Sequence, residues 1–70
     1  MRTRAVLNMT DGTTIVGDWK DDCCAETIIK NTVDFMKFAK DVPFLSITHN
    51  GLPHVIRIAC VRDFYVETMV

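Results

Sequence analysis

Seventy residues with a formal charge of −1 and a pI near 6.0 exclude a strongly basic nucleic-acid clamp, so a polyanion contact has to come from a local arginine patch. The length suits one domain, residues 1–70, and no stretch approaches the roughly 20 apolar residues that span a bilayer. Three cysteines, with Cys23 and Cys24 adjacent, are not the even, spaced set of a secreted disulfide scaffold, and no apolar leader follows Arg2 and Arg4; a soluble cytoplasmic protein is expected.

The first element is a strand over residues 3–10, with Ala5, Leu7 and Met9 on one face and Arg4, Val6 and Asn8 on the other. Asp11-Gly12 predicts a tight type I′ turn, and residues 13–19 predict the returning strand, with Ile15, Gly17 and Trp19 on one side. Asp21 or Asp22 suits a helix N-cap, because a short carboxylate accepts the orphan amides of the first turn. Ile29, Val33, Met36 and Ala39 then recur at helical spacing between Ala25 and Lys40, flanked by Ile28, Phe35 and Phe38, and Lys30, Asn31, Asp34 and Lys37 mark the solvent side. Val42-Pro43 ends the helix.

Phe44 to His49 reads as a strand, Asn50-Gly51 as a second positive-φ hairpin turn, and His54 to Val61 as a central strand interrupted by Arg57. Phe64 to Met69 continues as another strand or as the same one bent at Arg62-Asp63. The expected architecture is α+β: a curved, small-barrel-like antiparallel sheet of four or five strands in β-β-α-β-β order, with one helix packed on it.

An apolar strand, Asp11-Gly12, Ile15, Gly17 and Trp19 resemble the first half of an Sm-like, SH3-like small barrel. Asn50-Gly51 followed by Val55-Ile56-Arg57-Ile58 is similar to that family's second motif, though the glycine lies one residue too far from Val55 and a helix stands where the family has a short loop. The resemblance implies a strongly bent sheet, ring-like oligomers and uridine-rich RNA held near Asp11 and Asn50.

Adjacent Cys23 and Cys24 lack the spacing that turns two thiolates toward one zinc, and His49 and His54, which flank a turn, have no further ligand at a metal-site spacing; no metal or cofactor is expected. Cys60 reads as core. No nucleophile elbow, glycine-rich phosphate loop or framed carboxylate pair is present, so the expected activity is binding, not catalysis. Arg57 stands out, because a guanidinium on a central strand requires a carboxylate, a phosphate or open solvent; Asp63, Glu67 and Asp18 are its candidate intramolecular partners. Together with Arg62, Arg4, Trp19 and Tyr65 it makes the candidate ligand site, a guanidinium for phosphate and an aromatic ring for a base.

With 49% hydrophobic residues and a mean hydropathy of +0.15, the chain has more apolar surface than a lone mini-domain hides without staples, so a homo-oligomer is expected. The sequence therefore points to an oligomer that sequesters a small nucleotide or short RNA between subunits. The alternative is an adaptor or inhibitor that grips a protein with its helix face or terminal strand.

Overall fold

The fold is that of a computed structural model, which describes residues 1–38 and 43–70. In chain order the elements are β1 (Arg2–Met9), β2 (Thr14–Val16), β3 (Lys20–Asp21), α1 (Ala25–Phe38), β4 (Phe44–His49), β5 (Leu52–Arg57), a 3-10 turn (Ile58–Cys60) and β6 (Val61–Met69). They form an α+β structure with two separate antiparallel sheets that do not close into a barrel. The strand order is thus β-β-β-α-β-β-β, not the expected β-β-α-β-β.

In the first sheet β1 is central. One edge pairs with β6 along its whole length, from Arg2 opposite Met69 to Met9 opposite Val61, with a bulge where Asn8 gives way to Met9. The other edge is shared by β2, with Leu7 opposite Ile15, and β3, with Arg2 opposite Asp21. The second sheet is the β4–β5 hairpin, in which Phe44 faces Arg57 and His49 faces Leu52.

The Asp11-Gly12 turn forms, but not as type I′. Only Gly12 has positive φ (91°), and its N–H donates to the Met9 carbonyl. Asp11 shapes the loop through its side chain: its carboxylate accepts the Thr13 amide at 2.9 Å and the Thr13 hydroxyl at 2.6 Å. Asn50-Gly51, with φ of 52° and 76°, does supply the two consecutive positive angles that a type I′ turn needs.

The predicted strand over 13–19 is ordered only as β2 and ends at Gly17-Asp18-Trp19, where Asp18 turns its amide to Thr48 of the second sheet; pairing with β1 resumes in β3, beyond the predicted bound. Helix α1 starts later than expected. Asp22 is left-handed (φ 55°), and the Cys24 carbonyl receives the Thr27 and Ile28 amides, so neither aspartate is the cap. The half-buried stripe of α1 is Ala25, Ile28, Thr32 and Met36; it shares Met36 with the predicted stripe but has Ile28 and Thr32 in place of Ile29 and Val33, and Ile29, Val33 and Phe35 are exposed. Ala39, Lys40 and Val42, part of the predicted helix end, lie outside the described residues.

The expected strand from His54 to Val61 is interrupted by the 3-10 turn. Consequently β5 belongs to a two-stranded sheet and is not central, and Cys60, expected in the core, is exposed.

The described core is small. Val6, Leu7, Met9 and Ile56 are its buried apolar side chains, with Ile15, Leu45, Ile47, Val61 and Phe64 packed around the Leu7-Met9-Ile56 cluster. Val6 lies on the opposite face of β1 from Leu7, between Val16 and Tyr65 in register, so the centre of β1 is covered on both faces. The hairpin presses onto Gly17, where a Cβ would lie 2.9 Å from Ile47 Cδ1 and 3.3 Å from the Ala5 carbonyl oxygen. Gly17→Val is therefore expected to destabilise the fold by about 1–3 kcal/mol through overpacking, read as a lower urea midpoint, with Gly17→Ala intermediate. A Gly17→Val midpoint equal to wild type would contradict this contact.

Candidate functional site

Alternation along β1 and β6 brings part of the predicted ligand site together on the sheet face that carries Val6. Arg4 stands opposite Glu67, and Tyr65 stands one pair further along the same face, opposite Val6. The Arg4 guanidinium is held by Glu67 at 2.7 Å and lies 4.4 Å from the Trp19 ring centroid. Trp19 reaches it from the break between β2 and β3. The one guanidinium of this cluster is thus already paired with a carboxylate within the chain.

Arg62 and Arg57 are elsewhere. Arg62, the extra residue of the bulge near the start of β6, is 3.8 Å from the Asp63 carboxylate. Arg57 is on β5, exposed, with its guanidinium 5.8 Å from the ring centroid of Phe44, its cross-strand partner. None of its three candidate carboxylates serves it: Glu67 holds Arg4, Asp63 faces Arg62, and Asp18 is committed to backbone amides. Among the described residues Arg57 makes no ion pair, and no ring contact or hydrogen bond joins it to Arg4, Trp19 or Tyr65.

Beside Arg57 lies a feature that the sequence did not single out. Helix α1 and the hairpin diverge around an open groove of about 490 Å³, lined by Asn31, Thr32 and Phe35 from α1, Phe44, Leu45 and Ser46 from β4, and Val55 from β5. Its walls are mostly apolar, and Val55 is 73% exposed. The available signal was the over-broad apolar arc of α1 combined with Phe44 and Val55, which the hairpin register sets on one face, opposite Leu45 and Ile56.

The groove wall is positioned from behind by Asp18. Its backbone amide donates to the Thr48 carbonyl at 2.8 Å, and its carboxylate accepts the Asn50 amide at 2.7 Å and the Gly51 amide at 2.8 Å. Consecutive positive-φ residues turn successive N–H groups to one side, which makes a concave anion site that Asp18 fills. His49 adds a bond from Nδ1 to the Val16 carbonyl at 2.6 Å. Because a carbonyl only accepts, that proton sits on Nδ1, and Nε2 accepts from Asn50 Nδ2 at 3.2 Å.

His49 and His54 do meet across the hairpin, edge to face at 5.6 Å. The described residues contain no cluster of three or more His, Cys, Asp or Glu side chains arranged to hold a metal ion. They also contain no helix long and apolar enough to cross a membrane. An apolar groove whose Phe44 wall has a guanidinium 5.8 Å from its ring centroid is suited to binding by desolvation and charge pairing.

The Gly51 and Asn50 amides hold the Asp18 carboxyl below the usual carboxylate range, with His49 contributing favourably, and the Thr13 hydroxyl and amide do the same for Asp11. A carboxyl whose folded pKa lies below its unfolded value adds stability that is complete above the unfolded value, near pH 4, and is lost as pH falls through the folded value. The urea midpoint is expected to drop as pH falls from about 4 toward 2. Asp18→Asn is expected to lower the midpoint at pH 7 and flatten that acid limb; an unaltered limb would assign it to other groups. In comparisons with known proteins, no protein family matches the chain, and neither a curated protein nor a solved structure is significantly similar to it.

Proposed function

We propose that the chain is a non-catalytic protein-binding module whose groove between α1 and the β4–β5 hairpin takes an apolar partner segment bearing a carboxylate. The observation that carries this reading is the pairing of open apolar walls, formed by Phe35, Phe44, Leu45 and Val55, with an Arg57 that makes no ion pair among the described residues. Aromatic side chains and arginine are the residue types in which binding energy concentrates. Burying each exposed apolar side chain of the groove contributes roughly 1.5–3 kcal/mol before ordering costs. Neutral Asn31, Thr32 and Ser46 line the helix side and the floor without placing a competing charge there.

The same Arg57–Phe44 pair favours a second reading, a phosphate-bearing nucleotide stacked on the ring with its phosphate at the guanidinium. A single cation beside mostly apolar walls supports the peptide more strongly, since phosphate sites gather several donors.

Selection of a random peptide library on the immobilised protein separates the two. Enriched peptides are expected to combine apolar residues with Asp or Glu, to lose binding to Val55→Asp, and to bind Arg57→Gln about ten-fold more weakly, in keeping with a charge-assisted contact. Library enrichment that is identical on wild type and Val55→Asp would sink the peptide reading. Binding of ATP that shifts the Phe44 and Arg57 resonances, with no peptide enriched, would put the nucleotide in its place.

A further inference from the structure

We propose that β6 is the interface of a symmetric dimer, in which two copies of this chain pair edge to edge into one continuous antiparallel sheet with Val66 on the two-fold axis. The groove is lined by α1, β4 and β5 alone, so this inference stands independently of what the groove binds.

β6 pairs with β1 on one side, and among the described residues no strand or loop hydrogen bond occupies its other edge. At nine residues it is a long edge, spanning about 30 Å. Monomeric sheets guard such edges with proline, lysine, bulges or outward charge. Val61 to Met69 contains no proline, glycine or lysine. The bulge disturbs only the Val61 end, where Arg62 and Asp63 also sit, and Glu67 is drawn back across the sheet to Arg4. From Phe64 to Met69 the strand is regular, and its one charged side chain, Glu67, is turned to Arg4.

Charge and face select the register. A two-fold axis perpendicular to a sheet keeps every residue on its own face, so opposed residues must belong to the same face of β6. Centring on Tyr65 sets Asp63 against Glu67 of the second copy, and centring on Glu67 sets that carboxylate against itself; both oppose like charges. Centring on Phe64 drives the pairing into the bulge at Arg62. Centring on Val66 avoids all three problems. It pairs Val66 with Val66 and Phe64 with Thr68 on the core face, where Phe64 already packs, and Tyr65 with Glu67 and Asp63 with Met69 on the other. Tyr65 and Met69 are exposed in the single chain, as partners across such an axis should be.

The test is the mass of the full chain in solution across a wide concentration range, by sedimentation or light scattering. Wild type is expected at twice the 8.0 kDa chain mass. Met69→Asp sets a like-charge pair against Asp63 twice per dimer and is expected to weaken association roughly five-fold or more. The double variant Asp63→Lys/Met69→Asp converts both pairs to opposite charges and is expected to restore it, which a variant that merely misfolds would not do. A wild type that stays monomeric throughout, or a dimer indifferent to Met69→Asp or not rescued by the double variant, would overturn the assignment.

Discussion

The Asp18 carboxylate, taking up the Asn50 and Gly51 amides, is the constraint on which the arrangement of this molecule depends. Among the described residues the two sheets share no strand ladder, and an isolated two-stranded hairpin is marginal in water. Asp18 sits in the break between β2 and β3, so the irregularity of that strand is what frees its groups to reach the hairpin. Its amide to Thr48, its two carboxylate bonds and the His49–Val16 bond form one polar clasp around a turn whose geometry exposes consecutive donors.

Packing follows from the clasp. With the hairpin held against Gly17, Leu45, Ile47 and Ile56 join Leu7 and Met9 in a single cluster, and α1 lies over the β1 and β6 part of the same sheet face. Helix and hairpin cover that face side by side, and their divergence leaves the groove. A chain this short buries few apolar residues and has a thin margin of stability. Any partner that covers its exposed apolar groups adds to that margin by mass action.

What could be read from the sequence was whatever local chemistry decides. Asn50-Gly51 imposed its turn, Pro43 precedes the strand as a breaker should, and the alternation in β1 marked its core face. Tertiary contacts decided the rest. Helix α1 leaves Ile29 and Val33 exposed on one flank of its packed stripe and Phe35 on the other, and an apolar arc that wide does not reveal which stripe meets the sheet. Arg57 looked anomalous only because β5 was taken as central; on a two-stranded hairpin it is a rim residue. The candidate site was legible in residue types but not in grouping. Arg4 and Trp19 do meet, whereas Arg57 finds Phe44, whose position opposite it depends on a register that spacing alone does not reveal.

The most direct test of the clasp is amide hydrogen exchange, residue by residue, in wild type and Asp18→Ala at neutral pH. Loss of the two carboxylate bonds is expected to loosen the hairpin as a local unit, so protection should fall across the β4–β5 ladder while the β1–β6 ladder keeps its own. Equal loss in both ladders, or no loss in either, would contradict the claim that this one carboxylate holds the second sheet to the first.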